Sequence, residues 1–148
     1  MGCDACERIG RMKRGEANPF LIAEMEESYL VLADNQTCRG WCILLLKEHV
    51  EHVAELAHAR QGRLWQDVAR TADALRAEFG PVRINYECLG NLMHHIHWHV
   101  IPRHSDDPDP KSPVWLRSPA DLNCGVEAKE RDRLVSAIRR RLEAQGCR

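Results

Sequence analysis

Apolar and polar positions follow two different rhythms along the chain. Phe20–Met25 and Ser28–Ala33 are short apolar runs interrupted by Glu26 and Glu27, and they read as two strands. The polar stretch Asp34–Gly40 reads as a turn, and Trp41–Lys47 is continuously apolar, as in a strand covered on both faces. A short helix suits Val53–Ala57. From Arg63 to Phe79 the rhythm changes to three- and four-residue steps: Leu64, Trp65, Val68, Ala72, Leu75 and Phe79 make one stripe of a long helix. Gly80-Pro81 stops it, Gly through a left-handed cap and Pro because it cannot continue a helix. Val82–Cys88 and His95–Ile101 return to strand patterns. Five of the seven prolines fall between Pro102 and Pro119, which makes that stretch a loop. Near Glu127–Ala144 a last amphipathic helix turns Leu134, Ile138 and Leu142 inward and Arg133, Arg139, Arg140 and Arg141 toward solvent. The predicted class is α+β: an antiparallel sheet with one long helix packed on it and a C-terminal helix, all in a single domain over 1–148.

Charge narrows the partners. The formal net charge is -1, from 21 basic and 22 acidic side chains, so there is no basic excess to attract nucleic acid or a membrane surface. No apolar run is long enough to span a bilayer, and Met1–Arg8 lacks the apolar stretch of a signal peptide. Gly2 is followed by Cys6, not by the Ser or Thr that myristoylation favours at that position. These features predict a cytoplasmic protein. In a reducing compartment seven cysteines are not a disulfide framework. Cys42 and Cys88 fall within strand-like runs and read as small buried hydrophobes. Cys38, Cys124 and Cys147 carry no signal, and Cys3-x-x-Cys6 has only half the ligands that a zinc ion needs.

The chemistry concentrates at His94-His95-Ile96-His97-Trp98-His99, which holds half of the eight histidines within six residues. On a strand, side chains alternate faces, so His95, His97 and His99 share one face at steps of about 6.6 Å, with Ile96, Trp98 and Val100 behind them. Each imidazole must be paired or solvated, so a plain sheet gains nothing by aligning three of them. Two chemistries suit the row. Neutral imidazoles ligate metals, and an imidazole can attack phosphorus while its neighbours bind the oxyanion. Ligation of one ion by all three would require a bulge, because the first and third lie about 13 Å apart on a straight strand.

His95-Ile-His97-Trp-His99-Val-Ile, followed by Pro102-Arg103, resembles the signature of the histidine-triad (HIT) superfamily. The segment Gly40-Trp-Cys-Ile-Leu-Leu-Leu-Lys47-Glu-His49 is similar to the family's glycine, apolar strand and Lys-x-His, and the likeness covers about residues 3–103. Pro113-Val-Trp115 resembles a bacterial branch described as dinucleoside polyphosphate hydrolases. The resemblance implies a HIT-like fold and a nucleotide hydrolase or nucleotidyl transferase acting at the α-phosphate. His97 would be the covalent nucleophile, and His99 would contact the α-phosphate or leaving-group oxygen. Where the family often carries Gly-Gln-Ser ahead of the triad, with a polar residue assisting at the α-phosphate, this chain has Gly90-Asn91-Leu92. Asn91 would take the assisting catalytic role with a shorter amide and, with Gly90, contact the nucleotide, whereas Leu92 offers no hydroxyl. Asp34 is the nearest candidate for the family's ribose contact, with a turn-forming Asp as the competing reading. Asn85 is either a second nucleotide contact or an ordinary strand Asn.

The same resemblance implies a structural zinc held by Cys3, Cys6, His49 and His95, which would pin an otherwise loose N-terminal arm to the sheet. It also implies a homodimer formed through the long helix and the strand before the triad, although that stripe suits ordinary core equally well. A catalytic zinc hydrolase using the triad as ligands and an inactive nucleotide-binding module are the competing functions.

Overall fold

The computed structural model describes residues 2–146. Its strands are β1 (Leu21–Glu24), β2 (Ser28–Leu32), β3 (Cys42–Leu46), β4 (Arg83–Glu87) and β5 (His97–Arg103). They form one antiparallel sheet in the order β1-β2-β3-β5-β4, with a register shift between Leu21 and Ala23. The helices are α1 (Asp4–Lys13), α2 (His58–Phe79) and α3 (Ala128–Gln145). The expected α+β class, the long helix and the C-terminal helix are all present.

Register divides the sheet into two faces with different tasks. Leu30, Leu44 and Trp98 are cross-strand neighbours, as are Leu32, Cys42 and Val100. That face is covered by Val68, Ala72 and Leu75 of α2 and by Leu134, Ile138 and Leu142 of α3. Each fully buried Leu, Ile or Val contributes about 1.5–3 kcal/mol of transfer free energy. On the opposite face Tyr29, Leu45 and His97 align, and Val31, Ile43 and His99 beside them. There the short α1 adds cover through Ala5 and Ile9, with Met12 partly buried beside them, over Tyr29, Val31 and Leu45. The imidazoles therefore lie on the less covered side of the sheet.

Two glycines are required by geometry. Gly80 caps α2 in the left-handed conformation (φ 55°), its N–H bonded to the Arg76 carbonyl, as the Gly-Pro pair predicts. Gly40 has φ 90°, and a Cβ there would lie 2.6 Å from the Phe79 ring, so the turn before β3 excludes any side chain.

Several expectations are corrected. The N-terminal arm is a ten-residue helix, not a loose segment; Ala5, Ile9 and the partly buried Met12 recur at helical steps and face the sheet. Helix α2 starts at His58, five residues before the expected boundary, in a polar turn whose Arg60 pairs with Glu27 and Glu48. Its stripe is core at Leu64, Val68, Ala72 and Leu75, but Trp65 is half exposed, stacked against Tyr86 and Trp98. The last strand begins at His97 and runs through Pro102 to Arg103. Proline is tolerated because the β3 ladder ends opposite Val100, leaving only β4 beside it. Cys42 is buried as expected, whereas Cys88 is exposed just past β4. Cys147 lies outside the described residues. The proline-rich stretch contains one 3-10 turn, Val114–Leu116. Arg139 does not point freely to solvent: it donates to the carbonyls of Leu21 and Ile22 and ties α3 to β1.

Candidate active site and metal cluster

The histidine row separates into two sites. His95 precedes the strand, and its ring packs edge-on against His49 at 5.2 Å between centroids. His97 and His99 lie within β5, 5.0 Å apart.

At the first site α1 brings Cys3 and Cys6 over the end of β3. Cys3 Sγ lies 3.6 Å from His95 Nδ1, Cys6 Sγ 3.5 Å from His95 Nδ1, and Cys6 Sγ 3.4 Å from His49 Nδ1. All four potential ligand atoms fall within 4.8 Å of one another, the only such set of three or more found among the described residues. A tetrahedral zinc with ordinary Zn–S and Zn–N bonds places its sulfur and nitrogen ligands about 3.5 Å apart, so these spacings fit the ion. The outer nitrogens fit as well. His95 Nε2 donates to the Leu46 carbonyl at 2.8 Å, leaving the Nδ1 lone pair facing the thiols, and His49 Nε2 lies 3.6 Å from Glu51. With two sulfurs and two nitrogens the set is closed, with no position for a reacting water.

The second site is governed by which nitrogen of each ring holds the proton. His97 Nδ1 donates to the backbone carbonyl of His95 at 2.8 Å, a bond that places the lone pair of the neutral ring on Nε2. His99 Nδ1 lies 3.1 Å from the indole Nε1 of Trp41. The rings are only 6% and 8% exposed, yet neither Nε2 is a sealed atom lacking a partner; among the described residues Trp98 Nε1 alone is. The two Nε2 atoms are thus the polar openings of the site. Burial, with His97 as a lesser cause, pushes the pKa of His99 down to about 4, so the ring is neutral at pH 7.

Trp41 and Trp115 wall in His99, with ring centroids 5.6 and 5.1 Å from the imidazole. The Trp115 indole donates to Glu87, the cross-strand neighbour of His99. Sequence reasoning gave Trp41 and Glu87 no part in the site, and it read Trp115 only as part of a resemblance. Trp41 passed for strand filler, although counting back by twos from Leu45 and Ile43 places it on the histidine face.

The remaining candidates lie at the periphery. Gly90 and Asn91 border a groove of about 550 Å³ that reaches His94 and His95 but is lined by neither His97 nor His99. The chemistry follows the two rings, not this concavity, because the unpaired nitrogens belong to the rings. Leu92 is fully exposed. Asp34 lies in the turn after β2, largely exposed and 3.9 Å from Arg8. Asn85 Oδ1 accepts from the Arg103 guanidinium at 2.8 Å. Among the described residues no hydrogen bond joins Asp34, Asn85 or Asn91 to His97 or His99.

A five-stranded antiparallel sheet displaying an adjacent imidazole pair beside a Cys2His2 cluster matches one class of protein. The HIT domain family matches over residues 14–106, and the chain belongs to that family. Its members are generally nucleotide hydrolases or transferases, and some are non-catalytic. The chain is 28% identical over 145 residues to protein hit of Bacillus subtilis, covering 95% of this chain and 94% of that one. Its fold is similar to that of a histidine-triad protein from Sinorhizobium meliloti (TM-score 0.75, 24% identity, 82% of this chain and 88% of that one). It is also similar to a zinc-bound histidine-triad family protein from Mycobacterium smegmatis (TM-score 0.72, 21% identity, 99% of this chain and 97% of that one). No helix among the described residues is long and apolar enough to cross a membrane.

Proposed function

We propose that the protein cleaves nucleoside phosphate derivatives, such as dinucleoside polyphosphates or nucleoside phosphoramidates, at the α-phosphate through a covalent intermediate on His97. The observation that carries this reading is the His97 Nδ1–H bond to the His95 carbonyl, which directs the lone pair of the neutral ring to Nε2, beside the neutral imidazole of His99. His97 Nε2 donates its electron pair to the α-phosphorus. The bond from phosphorus to the leaving oxygen or nitrogen breaks, and the leaving group takes that pair, a nitrogen leaving group also taking a proton from solvent. Water, or another acceptor, then displaces the nucleotidyl group and regenerates the imidazole. His99 Nε2 faces the oxyanion, while Asn91, Gly90, Asp34 and Asn85 serve as nucleotide contacts once substrate is bound. The rigid strand and the core behind Trp98 and Val100 hold the attacking ring in line.

Cys3, Cys6, His49 and His95 hold a structural zinc in this reading, which leaves His97 and His99 free of metal. The protein works in the cytoplasm as a homodimer, its partner seated against the outer edge of β4. Trp65, Val82 and Tyr86 are exposed there, and Trp98 Nε1 lacks a donor's partner nearby.

The test is rapid quenching with a dinucleoside tetraphosphate labelled at the α-phosphate. Acid-labile label should map to His97, and His97→Ala should lower turnover by on the order of 10³-fold or more while keeping fold and zinc. An active His97→Ala protein, or label on another residue, would overturn the mechanism. Reversible loss of turnover on chelation, with the fold intact, would favour a catalytic metal. Tight nucleotide binding without turnover would make the chain a binding module.

A further inference from the structure

The pair of imidazoles in β5 carries more information than their proximity. Trp41 follows Gly40, whose left-handed backbone and packing against Phe79 fix where β3 begins. Only 2% of Trp41 is exposed, and its Nε1 lies 3.1 Å from His99 Nδ1. An indole nitrogen can donate a hydrogen bond but cannot accept one, so the nitrogen it faces must supply a lone pair. A proton on His99 Nδ1 would set two N–H groups against each other in a buried site, 3.1 Å apart and too close for a water to sit between them. The same clash opposes the imidazolium form, in which both nitrogens are protonated. His97 obeys the reverse constraint, because its Nδ1 faces a carbonyl, which can only accept.

We propose that Trp41 is a positioning residue that locks His99 in the Nε2–H tautomer, so that β5 presents two neighbouring imidazoles in opposite tautomers: a lone pair at His97 Nε2 and a donor at His99 Nε2. This division of labour rests, for its use in catalysis, on the nucleotide reading above; the tautomers themselves do not. The donor at His99 is then a neutral N–H that binds an oxygen carrying negative charge, and it does not deliver its proton to the leaving group. The depressed basicity of His99 agrees with this, because a buried ring that resists a second proton stays a neutral donor across the working range of pH. Trp115 closes the other side of the ring at 5.1 Å and limits its rotation away from Trp41.

Long-range ¹H–¹⁵N correlation spectra of the ¹⁵N-histidine-labelled, zinc-loaded protein at pH 7.5 test the assignment without any substrate. His99 should show a protonated Nε2 and a bare Nδ1, and His97 the inverse pattern. A protonated Nδ1 on wild-type His99 overturns the proposal, whatever the enzyme does. Trp41→Phe, with fold and zinc content checked, should release His99 into a tautomer mixture. It should also lower kcat on the order of 10- to 100-fold with KM changed little, because the donor meets charge developed in the transition state. An unchanged tautomer in Trp41→Phe also overturns it, and a changed one with kcat intact overturns the use of the His99 donor in catalysis while the lock itself stands. If Trp41→Phe does not fold, the wild-type spectrum still decides. If the wild-type protein cleaves no nucleotide while His99 shows the Nε2–H pattern, the nucleotide reading fails and the tautomer assignment stands.

Discussion

Acidification reads the burial of His99 directly. Burial lowers its pKa from 6.5 to about 4. As pH falls through 6.5, His99 in the unfolded chain takes up a proton, but in the folded chain it does not until about pH 4. Throughout that window the unfolded state binds more protons, so stability falls as pH falls. Above 6.5 the contribution is fully present, and below 4 it stops changing. At about 1.4 kcal/mol per tenfold change in proton affinity, the loss across the window is about 3 kcal/mol. Urea unfolding followed by circular dichroism, at intervals from pH 8 to pH 4, measures it in wild type and in His99→Gln. The carboxylates and the histidines of the metal cluster lower the acid stability of both proteins, so the difference between the two curves isolates His99. Relative to the variant, wild type should lose about 3 kcal/mol between pH 7 and pH 4. A pH-independent difference would refute the buried, neutral imidazole and with it the claim that the ring resists protonation.

Three further outcomes follow from other parts of the molecule. Protein purified without added metal should carry one zinc per chain by elemental analysis. Replacing Cys3 and Cys6 with Ser should remove it and lower Tm by roughly 5–15 °C, and retention of stoichiometric zinc would refute the ligand set. Gly40→Ala should cost about 2–4 kcal/mol in urea unfolding, since it combines a positive φ with a Cβ pressed into the Phe79 ring; a cost near zero would mean that the turn is not as tight as described. Trp65→Glu should shift the protein toward monomer in light scattering, with little loss of fold because Trp65 is half exposed. An unchanged mass at micromolar concentration would remove the α2–β4 edge as the interface.

What the sequence revealed and what it hid have physical causes. Strands β2 and β3 were legible as short continuous apolar runs buried on both faces, β5 by the alternation of its histidines with apolar residues, and the body of α2 by burial that repeats with the helical period. Helix α1 was not, because its stripe of Ala5, Ile9 and Met12 is short and set among charged residues; the residues it packs on, Tyr29, Val31 and Leu45, are recorded by no local pattern. The four candidate zinc ligands were named through resemblance, and the fold brings their atoms together across 92 residues of chain. The alternation rule placed His95 with His97 and His99, but His95 lies before the strand and turns to the thiols, so the rule holds only for the last two. Trp41 and Glu87 were missed because each looks like an ordinary strand residue until cross-strand register sets it beside His99.

The proline-rich stretch was the least legible region, and a buried arginine anchors its order. Arg103, at the end of β5, is buried, and its guanidinium donates to the Asp107 carboxylate, to Asn85 Oδ1 and to the carbonyls of Asp109 and Ser112. Asp107 also accepts from Arg117, on the far side of the 3-10 turn. Burial alone would raise the pKa of Asp107, but the two guanidiniums outweigh it and hold the carboxyl below its usual range, so the charges remain paired at neutral pH. Prolines leave few backbone donors, and a loop of this kind gains little from backbone pairing of its own. Arg103 supplies the donors instead, which lets the stretch close as a strap, sinks Val114 into the core and sets Trp115 against His99. The Pro-Arg pair that ends the triad motif is thus structural in this chain, yet it acts on the site: the strand that carries the reacting imidazoles also carries the cation that folds the wall beside them.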